Sequence, residues 1–279
     1  MPRVFWAVVP LLAIVLAGCT PSLSPTSDAV QQDPQSAQST ATTQDAGSPE
    51  VAQSTMQEDE MEVTVVAKPA PAIPFAEEVA ERFAGLTPSE WGLGIPGVLT
   101  RMDSDGIALT LDACGGPSGS GYDAALIEGL IERNVPATLF LNERWIESNP
   151  EVAAQLASNP LFEIDNHGTA HRPLTVNGRS AYGIEGTSSA LDAANEVRDN
   201  HLRILGLTGK PPRFFRSGTA HYDDVGIQIA QAFDERVLGF SVNGDAGATF
   251  DAATVRAQVA GASPGSIIIA HMNRPGSGT

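Results

Sequence analysis

The sequence predicts an α/β protein with a mostly parallel sheet, open or closed into a barrel. Three observations lead there. Short apolar runs rich in branched and aromatic residues recur between Gly106 and His271. The stretches separating them place apolar residues at three-and-four spacing, with charges elsewhere. Nearly every run also finishes on a polar residue able to do chemistry. Strands joined through helices run parallel, because a tight turn can only reverse the chain. With 279 residues, 42% of them apolar, one globular unit can bury a substantial core.

The chain opens with MPRVFWAVVPLLAIVLAGCT. Arg3, an apolar run of about 15 residues and a small-residue exit have the charge and length of a secretory signal rather than a membrane-spanning helix. Residues 1–18 are read as that signal. Its end, Leu16-Ala17-Gly18-Cys19, resembles the bacterial lipobox, which implies a lipidated Cys19 as the first mature residue. The protein would then be extracytoplasmic and lipid-anchored to a bacterial membrane, on its periplasmic or cell-surface face.

Residues 19–72 turn to Ser, Thr, Gln, Ala, Pro and acids without apolar periodicity. Such a segment cannot bury enough surface to offset its ordering entropy and is expected to be a disordered tether. Eight acids face the single Lys68 there, so much of the net charge of −17 belongs to the tether. Nucleic acid and anionic lipid headgroups would both call for a basic patch and are not expected partners. With Cys19 lipidated, Cys114 has no cysteine to pair with and no disulfide framework is available. Residues 73–105 are expected to be an N-terminal extension packing on the barrel, and 106–279 the domain that carries the chemistry.

Within that domain the strand candidates are IALTLD (107–112), ATLFLN (137–142), LFEIDNH (161–167), PRFFRSG (212–218), VLGFSVNGD (237–245) and SIIIAH (266–271). Helical spacing marks 122–134, 188–207 and 225–236. One more helix would ordinarily cover the last strand, and only eight residues follow His271. The runs end on Asp112, Asn142, His167, Arg216, Asp245 and His271. Since the carboxyl ends of parallel strands share one rim, residues scattered along the chain should converge on one cleft there.

His167 and His171 bracket Gly168-Thr169-Ala170, and Pro173 prevents a long helix. A strand end followed by a turn lets imidazoles four residues apart face one ion. His-x-x-x-His alone is weak evidence, and the acid and third histidine on neighbouring strand ends are what strengthen it.

TLDA (110–113), NHGTAH (166–171), FFRSGTAHY (214–222), SVNGDAG (241–247) and IIIAHMN (267–273) resemble, in order, the five motifs of the polysaccharide deacetylase superfamily, the NodB-homology domain of carbohydrate esterase family four. The resemblance covers about Ile107 to Asn273. It implies a distorted (β/α) barrel with its site at the carboxyl rim, a divalent metal, usually zinc, and removal of acetyl groups from N-acetylated glycans. His167 and His171 would hold the metal, with Asp112 as ligand or as base. His271 would protonate the departing amine, with Asp245 as its partner. Arg216 would hold Asp112 ionised, and backbone N–H groups near Ser217 to Thr219 would cradle the oxyanion.

The first motif departs from the family. Two consecutive acids are usual, and here Ala113 follows Asp112. Three repairs stay open: Asp165, two residues before His167 and on the same side of an extended strand, supplies the third ligand; Asp112 supplies it and base duty passes to Asp245 or another group; or two histidines and waters hold a weakly bound ion. Gly218 and Thr219 stand where a proline and an aromatic are common. Cys114, two residues past Asp112, divides between a small buried cysteine, the commoner case, and a thiolate metal ligand, while His201 reads as part of a solvated helix face and CGGPSGSG (114–121) as a flexible turn. His221 divides between substrate contact and loop structure, and Trp145 and Tyr222 read as core rings. No Gly-x-Ser-x-Gly elbow appears, which weakens a serine hydrolase reading.

The expectation is an extracytoplasmic, lipid-anchored, metal-dependent de-N-acetylase of an envelope or extracellular glycan, of open oligomeric state. A non-catalytic glycan-binding module, motivated by Ala113, and a metallo-esterase acting on O-acetylated glycans are the alternatives.

Overall fold

The computed structural model describes residues 72–279, so the signal, Cys19 and the tether up to Pro71 lie outside the described residues. Helix α1 (Ala76–Phe83) buries Ala76, Val79 and Phe83, and a two-residue strand β1 (Trp91–Gly92) follows. The body then alternates: β2 (Ala108–Ala113), α2 (Ala124–Glu132), β3 (Ala137–Leu141), α3 (Glu143–Ser148), α4 (Pro150–Ser158), β4 (Phe162–Asn166) and α5 (Ala190–Thr208). It continues through β5 (Phe214–Phe215), β6 (Tyr222–Asp223), α6 (Asp224–Gln231), β7 (Arg236–Val237), β8 (Val242–Asn243), α7 (Ala252–Ala260) and β9 (Ile267–His271).

Side chains just outside the helices start them. Asp123, Asn142, Ser189, Asp223 and Asp251 each accept a hydrogen bond from a first-turn amide of α2, α3, α5, α6 and α7. Pro150 opens α4, where its missing N–H costs nothing, and Gly209, at φ 70°, closes α5. No helix of the described residues is long and apolar enough to cross a membrane.

Seven strands form one parallel sheet in the order β7-β5-β4-β3-β2-β9-β8, while β1 and β6 pair antiparallel apart from it. The sheet curls into a half-barrel, the shape shared with the fold relatives described below. Its register decides the rim: Asp112 stands beside His271 of β9 and Phe140 of β3, and Asn166 beside Leu141 and Phe215.

Two strand expectations change in detail. The run 212–218 contributes only Phe214 and Phe215 to the ladder, because Pro211 and Pro212 have no amide to donate and the chain turns after Arg216. The run 237–245 is divided between the two edges of the sheet. Leu238 N–H donates to Phe215 O (2.9 Å) on one side and Ser241 N–H to Ile267 O (3.0 Å) on the other, so residues 238–241 cross the gap. Gly239 permits the crossing, since a Cβ there would lie 2.8 Å from Val98 Cγ1.

Period-two alternation sorts β2: Leu111 and Ala113 join the apolar layer of Leu139, Leu141 and Trp145, whereas Thr110 and Asp112 face the other way. A second layer packs α1 against α5 and α6 through Val79, Phe83, Val197 and Ile229.

Candidate active site

Asp112 is buried, and its Oδ1 accepts from Arg216 Nη1 at 2.7 Å. The same guanidinium donates to Thr110 Oγ1 (2.8 Å), Leu238 O (3.2 Å) and Gly239 O (3.0 Å), and lies 4.2 Å from the Phe140 ring centre. Arg216 is thus fixed by strand-end carbonyls that surround it. Burial alone would raise the Asp112 carboxyl, but Arg216 and the imidazoles of His167 and His271 outweigh it and hold the pKa below the ordinary value.

His167 follows β4 and is 1% exposed. Its Nδ1 donates to Arg216 O (2.9 Å), which turns Nε2 toward Cys114 Sγ (3.9 Å) and Asp112 Oδ2 (3.7 Å). His171 stands edge-on to it, ring centres 5.0 Å apart, at φ 61°, a left-handed conformation unusual for a residue with a side chain. Its Nε2 is buried without a hydrogen-bond partner. The turn carrying both rings is pinned from beneath. Glu196 accepts from the amides of Ala170 (2.9 Å) and Arg172 (3.2 Å), and Asn142 Nδ2 donates to His167 O (3.0 Å) and Gly168 O (2.6 Å). Asn142, which the strand-end pattern counts among the rim residues, is therefore fully buried and holds the turn rather than lining the cleft.

Cys114, His167 and His171 each offer one atom such that all three lie within 4.8 Å of one another. Asp112 stands beside this cluster, not in it. Asp165, considered as a substitute ligand, is outside it as well: its Oδ1 accepts from the amides of Arg213 (2.8 Å) and Phe214 (3.0 Å) at the start of β5. An unpartnered buried nitrogen beside a second oriented imidazole and a thiol suits a metal ion. Cys114 is half-buried at the rim beside the two imidazoles rather than enclosed in the core. The signal was available in the sequence: Asp112 and Cys114 are two residues apart and share a face.

On the neighbouring strand, beside Asp112, stands His271, whose Nδ1 meets Asp245 Oδ1 at 2.8 Å. Asp245 Oδ2 accepts from the His271 amide (2.6 Å) and from Thr279 Oγ1 (2.8 Å). Burial works against the charged imidazole, but Asp245, with Cys114 and Asp112 nearby, raises its pKa well above the usual value. The side chain remains 15% exposed toward a cleft of about 800 Å³ also lined by Cys114, Arg144, His171, Tyr182 and Phe240.

On the third motif, the Ser217 amide donates to Tyr222 Oη (3.1 Å), while among the described residues the amides of Gly218 and Thr219 meet no acceptor. A Cβ on Gly218 would overlap the ring and backbone of His171, which explains glycine at that position. Trp145 and Tyr222 are fully buried core rings. Tyr182, 76% exposed at φ 52°, is the tyrosine that lines the cleft, and nothing in the sequence distinguished it. His221 Nδ1 donates to Thr219 O (2.8 Å), packs near Trp91 and Tyr182, and does not line the cleft.

Two expectations are corrected. His201 is not on a solvated face: it is 2% exposed, with Nδ1 2.7 Å from Glu235 Oε1. CGGPSGSG is not a loose turn, since Gly115 N–H donates to Gly119 O (2.9 Å) and Asn273 Nδ2 to the same carbonyl (2.9 Å).

A base-like carboxylate and a carboxylate-backed imidazole on adjacent parallel strands place the chain among α/β proteins whose chemistry sits at the carboxyl ends of a sheet. The sequence model of the polysaccharide deacetylase family matches residues 100–238, and the chain belongs to that family. Among solved structures, it is similar to a CE4 family pseudoenzyme from Bacillus anthracis (21% identity, TM-score 0.51, covering 61% of this chain and 56% of that one). It is also similar to a peptidoglycan N-acetylglucosamine deacetylase (22%, 0.51, 63% and 75%) and to a family 4 carbohydrate esterase from Streptomyces lividans in complex with acetate (18%, 0.51, 63% and 82%). At these identities the likeness concerns the fold. The chain spans 56–61% of the length of the first three structures it matches. No curated protein matches it.

Proposed function

We propose that this protein removes acetyl groups from an N-acetylated glycan, using a divalent metal, most simply zinc, held by His167 and His171. The observation that carries the reading is that one rim gathers, beside the imidazole pair, a carboxylate held ionised by a guanidinium, Asp112 with Arg216, and an imidazole backed by a carboxylate, His271 with Asp245. Bound there, the metal would acidify a water and polarise the amide carbonyl. Asp112 accepts the proton of the attacking water. His271, charged through its contact with Asp245, delivers its proton to the departing sugar nitrogen. The amides of Gly218 and Thr219, residues that line the cleft, would donate to the oxygen that gains charge. The cleft admits a sugar chain, with Tyr182 offering a ring face at its wall. The lipobox and tether fit a chain anchored through Cys19 outside the cytoplasm, working on an envelope or extracellular glycan.

Acetate release from chitin oligomers and from peptidoglycan, lost on chelation, restored by metal and absent in His167→Ala, is the expected result. Turnover indifferent to both the chelator and the substitution would overturn the metal mechanism. Ala113 favours a second reading, a glycan-binding module without turnover, which any acetate release disposes of. Acetylated xylan in the same assay separates an esterase from an amidase.

A further inference from the structure

We infer that the third protein ligand of this metal site is the thiolate of Cys114, so that one sulfur and two imidazole nitrogens hold the ion. The inference rests on the metal reading above. Its ground is the placement of four side chains around the rim.

Ala113, the residue after Asp112, is buried in the apolar layer on the far face of β2 and cannot contribute. Alternation returns Cys114 to the face of Asp112, with Sγ 3.9 Å from His167 Nε2 and within 4.8 Å of a His171 nitrogen. The two carboxylates nearby stand outside the cluster of ligand atoms, Asp112 with Oδ1 on Arg216 and Asp165 with Oδ1 on the amides of Arg213 and Phe214. Cys114 is also held in place. The Ala113 carbonyl accepts from Asn142 N–H (3.0 Å), and the next residue, Gly115, sits at φ 71° against α3, where a Cβ would lie 2.6 Å from the Trp145 nitrogen. The Gly115–Gly119 turn is closed by its own hydrogen bonds and tied to Asn273. A sulfur on so fixed a turn, facing an unpartnered buried imidazole nitrogen, is a preformed ligand set.

The donor set has consequences. Sulfur and imidazole suit zinc and cobalt and disfavour magnesium, calcium and manganese, which prefer oxygen. Protons compete with the metal for the sulfur and the imidazoles, so metal affinity falls as pH falls. The metal-free thiol opens into the cleft and is accessible to alkylating reagents.

The test uses the purified full chain stripped of metal and titrated with Co²⁺, in wild type, Cys114→Ser and Cys114→Asp. The expected result is a stoichiometric thiolate-to-cobalt charge-transfer band in wild type and none in either variant. Affinity should fall at least about 100-fold in Cys114→Ser, beyond the usual loss of an outer partner, and recover largely in Cys114→Asp, which restores a ligand without sulfur. Saturating Zn²⁺ should protect Cys114 from iodoacetamide, read by mass spectrometry of its peptide. Stoichiometric cobalt without the band, or equal affinity in Cys114→Ser, would overturn the sulfur ligand and leave the histidine site standing. A wild-type chain that binds neither Co²⁺ nor Zn²⁺ would overturn both.

Discussion

Two histidine–carboxylate pairs in this protein have nearly the same geometry and opposite electrostatics. At the rim, His271 Nδ1 lies 2.8 Å from Asp245; behind the sheet, His201 Nδ1 lies 2.7 Å from Glu235. Burial would raise the Asp245 carboxyl, but the His271 imidazole, with the Thr279 hydroxyl beside it, outweighs burial and lowers its pKa. Glu235 has one unpartnered oxygen in full burial, and desolvation, with Asp165 nearby, drives its pKa well above the usual range. His201 is lowered by burial and by Arg198. The short contact looks like a salt bridge, yet both shifts favour neutral partners, and we take the pair as neutral because nothing compensates the carboxylate's second oxygen. The lesson is that a contact distance does not fix charge. The groups around the pair do.

The largest test of this contrast is at the rim. Asp245→Asn should cut deacetylation about 10²–10⁴-fold, the usual worth of a proton-transfer group, and move the alkaline limb of the pH–rate profile to lower pH. The sign follows from Asp245 raising the His271 pKa, so that without it the proton is lost sooner. An unmoved alkaline limb in a folded variant would break the assignment of His271 as acid.

Behind the sheet the same kind of change should be felt in stability. His201→Ala removes one of the two partners of Glu235 Oε1, leaving Asn166 Nδ2 at 3.0 Å, and should cost about 1–3 kcal/mol in denaturant unfolding, with unchanged turnover per folded molecule. Gly218→Ala should cost a similar or smaller amount, about 1–3 kcal/mol, because the added methyl overlaps His171 and the loop must shift. Weakened cobalt binding in a folded protein would show that this loop sets the metal geometry, and intact binding would show that it does not.

The smallest effect expected is on pH dependence. Burial raises Asp165 and Glu196 to about 7 and raises Glu235 well above its ordinary value. Between the unfolded and folded pKa values the folded state binds more protons, so stability present at low pH is lost as pH rises through about 7 and beyond. His201 opposes this below 6.5, its ordinary value, because there the unfolded chain takes up the proton. Glu235→Gln should flatten the decline in urea titrations. An equally steep decline would mean that Asp165 and Glu196 carry it alone.

Much of the site was legible along the chain because strand ends are marked locally. Asp112, His167, Arg216 and His271 each close an apolar run, and a parallel sheet gathers such ends whatever its order. His201 misled because a helix face shows its own periodicity but not what later packs on it. Glu235 lies 34 residues on and buries that face. The split of 237–245 between two sheet edges was equally hidden, since one β-rich run reads the same whether it pairs with one neighbour or with two in turn.

The sequence by itself determined the alternation of strands and helices, the rim and its histidines, because periodicity and strand termini are properties of neighbouring residues. Tertiary structure alone decided that Cys114 rather than Asp165 stands with the two imidazoles, that His201 is buried against Glu235, and that the two histidine–carboxylate pairs are shifted in opposite directions. Those outcomes depend on solvent exclusion and on distances between remote segments, and neither is written in any local stretch of the chain.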